Sequence, residues 1–132
     1  MQRRVDLYLP KAFEALRNVE IDEKRFINSE GIISKEYKGY ISSLGANIIQ
    51  AGIKAALTFY EANDSGAKSD RRLVNAAIKY IITGVTNPSY NDCHLTGLLN
   101  GSASEDEIQK KTNEILDAAT ALKLALRTFK LE

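Results

Sequence analysis

The chain has 132 residues, of which 44% are hydrophobic and 27% charged, with a formal net charge of +1. That length fits one domain whose core holds without staples, and the composition excludes a disordered chain. The near-neutral balance excludes a global field that draws in nucleic acid or a membrane, so any such partner must be met by a local patch.

From the start of the chain, MQRRVDLYLPKAF carries Asp6 and Lys11 and no apolar run, which is not the pattern of a secretory signal. Ala12, Ala15, Leu16 and Val19 make a helical face. Pro10 either opens that helix at its first position or kinks a longer one starting near Arg3. Residues 21–34 show no clear period and read as a loop. Residues 37–62 repeat apolar side chains at Tyr37, Ile41, Leu44 and Ile48, then at Ile53, Leu57 and Tyr60, again at helical spacing. Gly45 and Gly52 interrupt this stretch, and a helix-interior glycine costs roughly 0.5–1 kcal/mol against alanine. Two uses offset that cost, a turn between helices or the close approach of another backbone. The spacing favours a break at Ala51–Gly52, with helices over about residues 35–50 and 52–63 and Gly45 inside the first, facing a crossing helix.

Residues 63–69 are polar and read as a connector. Asp70 is placed to cap the next helix, whose apolar face is Val74, Ala77, Ile78, Ile81 and Ile82, and Gly84 ends it. Residues 85–103 form a second connector with Asn-Pro-Ser and Asn-Gly-Ser, in which residues 94–99 make one helical turn. Ser104 with Glu107 is a capping box, and Glu105 and Asp106 add favourable charge at the helix start. Ile108, Thr112, Ile115, Ala119, Leu122, Leu126 and Phe129 then form one apolar stripe, with Lys123, Arg127 and Lys130 in the last turns, where cations suit the helix dipole. No period-2 pattern occurs. The expectation is an all-α fold, a single compact bundle of five to six helices in one domain over residues 1–132. No apolar run reaches the ~20 residues that cross a bilayer. Asn63 and Asn100 match the glycosylation pattern, which carries no weight without a secretion signal.

Few residue sets point to chemistry. The single Cys93 excludes an internal disulfide and suits a reducing compartment. Cys93 and His94 supply a nucleophile–base pair or two zinc ligands in principle, but adjacent side chains rarely converge on one atom, and the chain has no other Cys or His to complete a zinc site. A small nuclease reading would rest on these two residues and scattered acids. Consecutive acids at 105–107 fan around a helix and read as dipole complements. The sequence therefore implies no catalytic set, metal, cofactor or small-molecule substrate.

The basic residues are more informative. From Lys35 to Lys79 the chain carries seven basic residues against four acidic ones, a local +3. Together with Lys123, Arg127 and Lys130 they are able to line a groove that tracks a phosphate backbone without reading sequence, or they form an ordinary solvated face. Tyr37 and Tyr40, beside Lys38, offer rings for base stacking or belong to the core.

Several patterns together resemble the small, all-helical subunit of type III-B CRISPR effector (Cmr) complexes. That family's first helix carries a basic residue, Ala, two variable residues, Ala, three variable residues and Val; Lys11, Ala12, Ala15 and Val19 match. Tyr37-Lys38, Leu44-Gly45, Ile48-Ile49, Gly52-Ile53 and Leu57-Thr58-Phe59-Tyr60 follow the second stretch, and Thr112-Asn113-Glu114-Ile115-Leu116 with Ala121-Leu122-Lys123 follow the last helix. Gly45 stands where the family has Pro, which leaves that helix straighter. Ala121 stands at a Trp-like position, which removes an aromatic anchor.

The resemblance implies a non-catalytic, cytoplasmic subunit for antiviral defence. Such subunits stack on copies of themselves and on other Cmr-type subunits in a minor filament along the crRNA and target RNA, while another subunit cleaves. Carried over by position, Lys11, Lys38, Lys123 and Arg127 contact RNA phosphates; Lys54, Arg71 and Arg72 join them on charge count. The competing reading is a helical adaptor that binds proteins only, its basic residues solvated.

Overall fold

The computed structural model describes residues 4–21, 23–62, 69–83, 95–99 and 104–132. Helix α1 spans Arg4–Asn18 and runs through Pro10, the longer of the two helices its sequence allowed. The proline ring lacks an N–H and is exposed here, so the carbonyl one turn earlier remains open to water. Ala12, Ala15, Leu16 and Val19 are all fully buried.

The segment expected to be a loop contains short pairings. Strands β1 (Glu20–Ile21) and β2 (Lys24–Arg25) form an antiparallel hairpin, with Glu23 in left-handed backbone at φ 67°. Strand β3 (Ile32–Ile33) pairs in parallel with β4 (Lys130–Leu131) near the end of the sequence, and Ile27 bridges to Ile33. Two-residue strands are too short to impose alternation, so the period-2 test does not detect them. Lys130 accordingly lies in β4 rather than in the last turn of a helix.

Helix α2 spans Glu36–Ala51 and α3 spans Ile53–Glu61. The elbow falls at Gly52, as the spacing predicts. Its φ of 92° and ψ of 157° lie in a region that is almost exclusively glycine's. Its N–H still donates to the Ile48 carbonyl at 3.0 Å and its own carbonyl accepts from Ala56, so the chain turns without leaving either group open. The Tyr60 hydroxyl donates to the Tyr40 carbonyl at 2.5 Å and ties α3 back onto α2.

Helix α4 (Arg72–Thr83) occupies the middle of the bundle. Residues Leu73 to Ile78, Tyr80 and Ile81 are buried in it. Asp70 precedes it as expected, and its Oδ1 accepts from Arg72 N at 2.9 Å. Gly84, Cys93 and His94, together with the connector at 63–68, lie outside the described residues. A short 3₁₀ helix, Leu95–Leu99, buries Leu95 and Leu99 against α3 and α4.

Helix α5 spans Glu105–Leu126 and begins as a capping box predicts: Ser104 Oγ accepts from Glu107 N at 3.2 Å. Its buried face is Thr112, Ile115, Ala118, Ala119, Ala121, Leu122, Ala125 and Leu126. The helix runs parallel to α1, with Arg4 paired to Asp117 at 3.2 Å and Phe13 near Phe129 at 6.4 Å between ring centroids. It runs antiparallel to α2. Gly45 faces Leu116, while at the other end Lys35 N donates to the Glu132 carbonyl at 3.2 Å. The result is the all-α bundle the spacing predicts, with five α-helices around one core among the described residues. Burying side chains such as Leu16, Leu44, Leu57, Leu122 and Leu126 contributes about 1.5–3 kcal/mol each.

Candidate nucleic-acid interface

The antiparallel seam between α2 and α5 places three of the predicted cations together. On α2, Lys38, Ser42, Gly45 and Ile49 follow one another at spacings of four, three and four, which is one stripe. On α5, Leu116, Thr120, Lys123 and Arg127 repeat that spacing; Arg127 follows the last helical residue but keeps right-handed helical backbone. A groove of about 190 Å³ lies between the stripes, with Ile41, Gly45, Leu116 and Ala119 giving an apolar floor and Ser42, Thr120 and Lys123 a polar edge. Because the helices are antiparallel, Lys38 lies toward the same end of the seam as Lys123 and Arg127.

Lys38 and Arg127 are exposed, and the stem of Lys123 lies half-buried along the groove. Among the described residues, no carboxylate is ion-paired with any of the three or with the exposed Lys54 at the start of α3. The two acids in the middle of α5 are engaged elsewhere, Asp117 with Arg4 and Glu114 with Lys111.

The other candidates are placed apart and hold internal partners. Lys11 sits on α1, 3.1 Å from Glu14 and over the Tyr80 ring of α4. Glu14 also accepts from the Tyr80 hydroxyl, and the hydrogen bonds from Lys11 and Tyr80 lower its pKa. Arg72 lays its guanidinium on Asp70, with Nη2 at 2.7 Å from Oδ2. Burial pushes the Asp70 carboxyl up, but the hydrogen bonds from Arg72 and the charges of Arg72 and Lys24 outweigh it and leave the group below its ordinary value. The Arg71 guanidinium stands 4.6 Å from the Phe59 ring centroid and 5.6 Å from that of Tyr40, a cation–π bridge linking the residue just before α4 to α3 and α2. Tyr37 is buried edge-on against Phe26, so its ring belongs to the core; Tyr40 is half-buried under Arg71.

Two residues of the groove escaped the charge count. Ser42 and Thr120 share stripes with the cations, and their helical spacing is the signal that finds them. Gly45 meets only Leu116 Cδ2, at 3.9 Å from an added Cβ, so the crossing helix is near without demanding glycine. Ala121, at the aromatic-anchor position, is fully buried on the core face of α5. A larger cavity of about 410 Å³ opens beside the start of α2, where the charges of Arg25 and Lys35 are balanced by Glu36 and Glu132. Among the described residues, no three metal-ligating side chains come together, and no helix is long and apolar enough to cross a membrane.

No curated protein and no solved structure matches the chain. A family model, described as CRISPR-associated protein (Cas_Cmr5), matches residues 11–127. That span contains both helices of the cationic seam, the glycine elbow and the whole of α4. The chain belongs to the Cas_Cmr5 family, the small CRISPR-associated subunits of type III-B Cmr systems.

Proposed function

We propose that the chain is a non-catalytic Cmr-complex subunit working in the cytoplasm in antiviral defence, and that it contacts the RNA backbone through the α2/α5 seam. The observation that carries this reading is the gathering of Lys38, Lys123 and Arg127, without ion-pair partners among the described residues, at one end of an open groove. Cations not engaged by carboxylates are available to phosphates, and such contacts are sequence-tolerant. Lys54 extends the same function beside the elbow, and Lys11 does so on α1 by exchanging Glu14 for a phosphate. Arg71 and Arg72 contribute by holding the start of α4, since their charges already serve Phe59, Tyr40 and Asp70.

The subunit stacks on copies of itself and on neighbouring Cmr subunits along crRNA and target RNA. The exposed Leu7, Ile49, Phe59 and Leu124 support that part of the reading, because large apolar side chains in water favour protein contact.

The test is RNA binding by a reconstituted complex carrying Lys38→Glu and Lys123→Glu together, titrated over a range of salt. The expected result is weaker binding and a slope of log affinity against log salt shallower by about 0.7 for each single-strand phosphate that is no longer neutralised. Unchanged affinity and slope would refute the phosphate role of the seam and favour a protein-only adaptor.

A further inference from the structure

The seam has more than charge. Its floor is apolar, and the absence of a side chain at residue 45 widens it. Ile41, Leu116 and Ala119 border the gap, and a Cβ at position 45 would reach no atom other than Leu116 Cδ2 within 4 Å. The cations lie at the rim, with the Lys123 stem along one wall. An apolar slot with a cationic rim matches a nucleotide whose base enters and whose flanking phosphates stay outside. A groove of about 190 Å³ has no room for a paired helix.

We infer that the α2/α5 groove binds one unpaired base of a single-stranded RNA against Ile41, Gly45 and Leu116, with Lys38, Lys123 and Arg127 on the neighbouring phosphates. This rests on the RNA-contacting reading above and specifies the strand state it recognises. Charge complementarity favours RNA over an apolar side chain of a protein, because a protein side chain would leave three cations at the rim without counter-charges. The base contact depends little on sequence, since every base presents a flat face to the apolar floor, and the Thr120 hydroxyl at the edge already donates to the Leu116 carbonyl.

The experiment compares three probes on the full chain by fluorescence anisotropy: a short labelled polyuridine, the same strand with abasic residues, and a duplex of equal length. It is run on the unchanged protein, on Gly45→Met, which fills the slot, on Gly45→Ala, which leaves most of it open, and on Lys38→Gln/Lys123→Gln. The expected result is that polyuridine binds about 10-fold tighter than the abasic strand, the gain from covering one base face with apolar side chains, and tighter than the duplex. Gly45→Met should abolish that preference with the salt slope unchanged, Gly45→Ala should keep most of it, and the lysine pair should lower the slope.

Equal affinity for polyuridine and the abasic strand on the unchanged protein overturns the inference, and that comparison stands even if Gly45→Met fails to fold. A duplex bound as tightly as the single strand overturns it too. If Gly45→Met leaves RNA binding intact but blocks assembly with other copies, the groove is a protein contact and the inference is wrong. A lysine pair without effect at any salt instead removes the RNA-contacting reading itself. If the unchanged chain alone binds no probe, the polyuridine and abasic strands are compared on the reconstituted complex, where equal affinity overturns the inference.

Discussion

Arg72 grips Asp70 through both carboxylate oxygens, Nε lying 3.1 Å from each and Nη2 2.7 Å from Oδ2. Asp70 is 2% exposed, and Lys24 of the hairpin also reaches its Oδ2, at 3.7 Å. One carboxylate therefore fastens the hairpin to the start of α4. Removing a single partner from such a pair leaves a buried charge uncompensated. Asp70→Ala should lower stability by about 3 kcal/mol, read as a drop in urea midpoint at constant slope. A change under about 0.5 kcal/mol would show that the carboxylate fastens nothing.

The same carboxylate sets an acid limit. The folded-state pKa of Asp70 lies below the ordinary 3.8, so the unfolded chain binds its proton more readily. The stability it contributes is present above 3.8 and is lost as pH falls through the lower folded value. Thermal unfolding followed from about pH 5 downward should show a falling Tm beginning near about 4, with a smaller fall in Asp70→Asn. Parallel curves for the two proteins would contradict this.

At the alkaline end, burial pushes the Tyr60 hydroxyl up to about 12. The folded state thus favours the neutral phenol, and its contribution is complete below 10 and lost as pH rises from 10 toward 12. Tyr60→Phe should flatten the loss of stability in that window. At neutral pH it should cost about 1 kcal/mol, for the missing hydrogen bond to the Tyr40 carbonyl.

The two glycines at the centre of the sequence should respond in opposite directions. Gly52→Ala forces a side chain into backbone at φ 92° and should destabilise by about 1–3 kcal/mol. Gly45→Ala adds an ordinary van der Waals contact inside a helix and should stabilise by about 0.5–1 kcal/mol. Calorimetric Tm values of the two variants check both signs.

Much of the bundle is visible in the one-dimensional pattern because its apolar residues recur at helical spacing. Tyr37, Ile41, Leu44 and Ile48 predict the buried face of α2, and Ser104 with Glu107 predicts the start of α5. The pairings β1–β2 and β3–β4 leave no such trace, since two residues cannot display a period. The second of them joins positions 32–33 to 130–131, a separation that local pattern does not span. The candidate interface is legible in the same partial way. The stripes 38–42–45–49 and 116–120–123–127 can be read from spacing, but that they face each other in opposite directions is decided by tertiary packing. The structural duties of Arg71 and Arg72 are hidden for a related reason. Asp70 is recognisable as a cap, yet nothing local announces that it is buried, or that rings from positions 40 and 59 close over Arg71.

The pairing of α1 with α5 has a consequence for the speed of folding. Contacts such as Arg4–Asp117 join positions far apart in the chain, so a large loop must close before they form. Helix α4, nearer in sequence, can cover part of α1 earlier, through Tyr80 on Glu14 and Lys11. Closure of the bundle then waits on α5, and β4 can zip onto residues 32 and 33 only once that helix is seated.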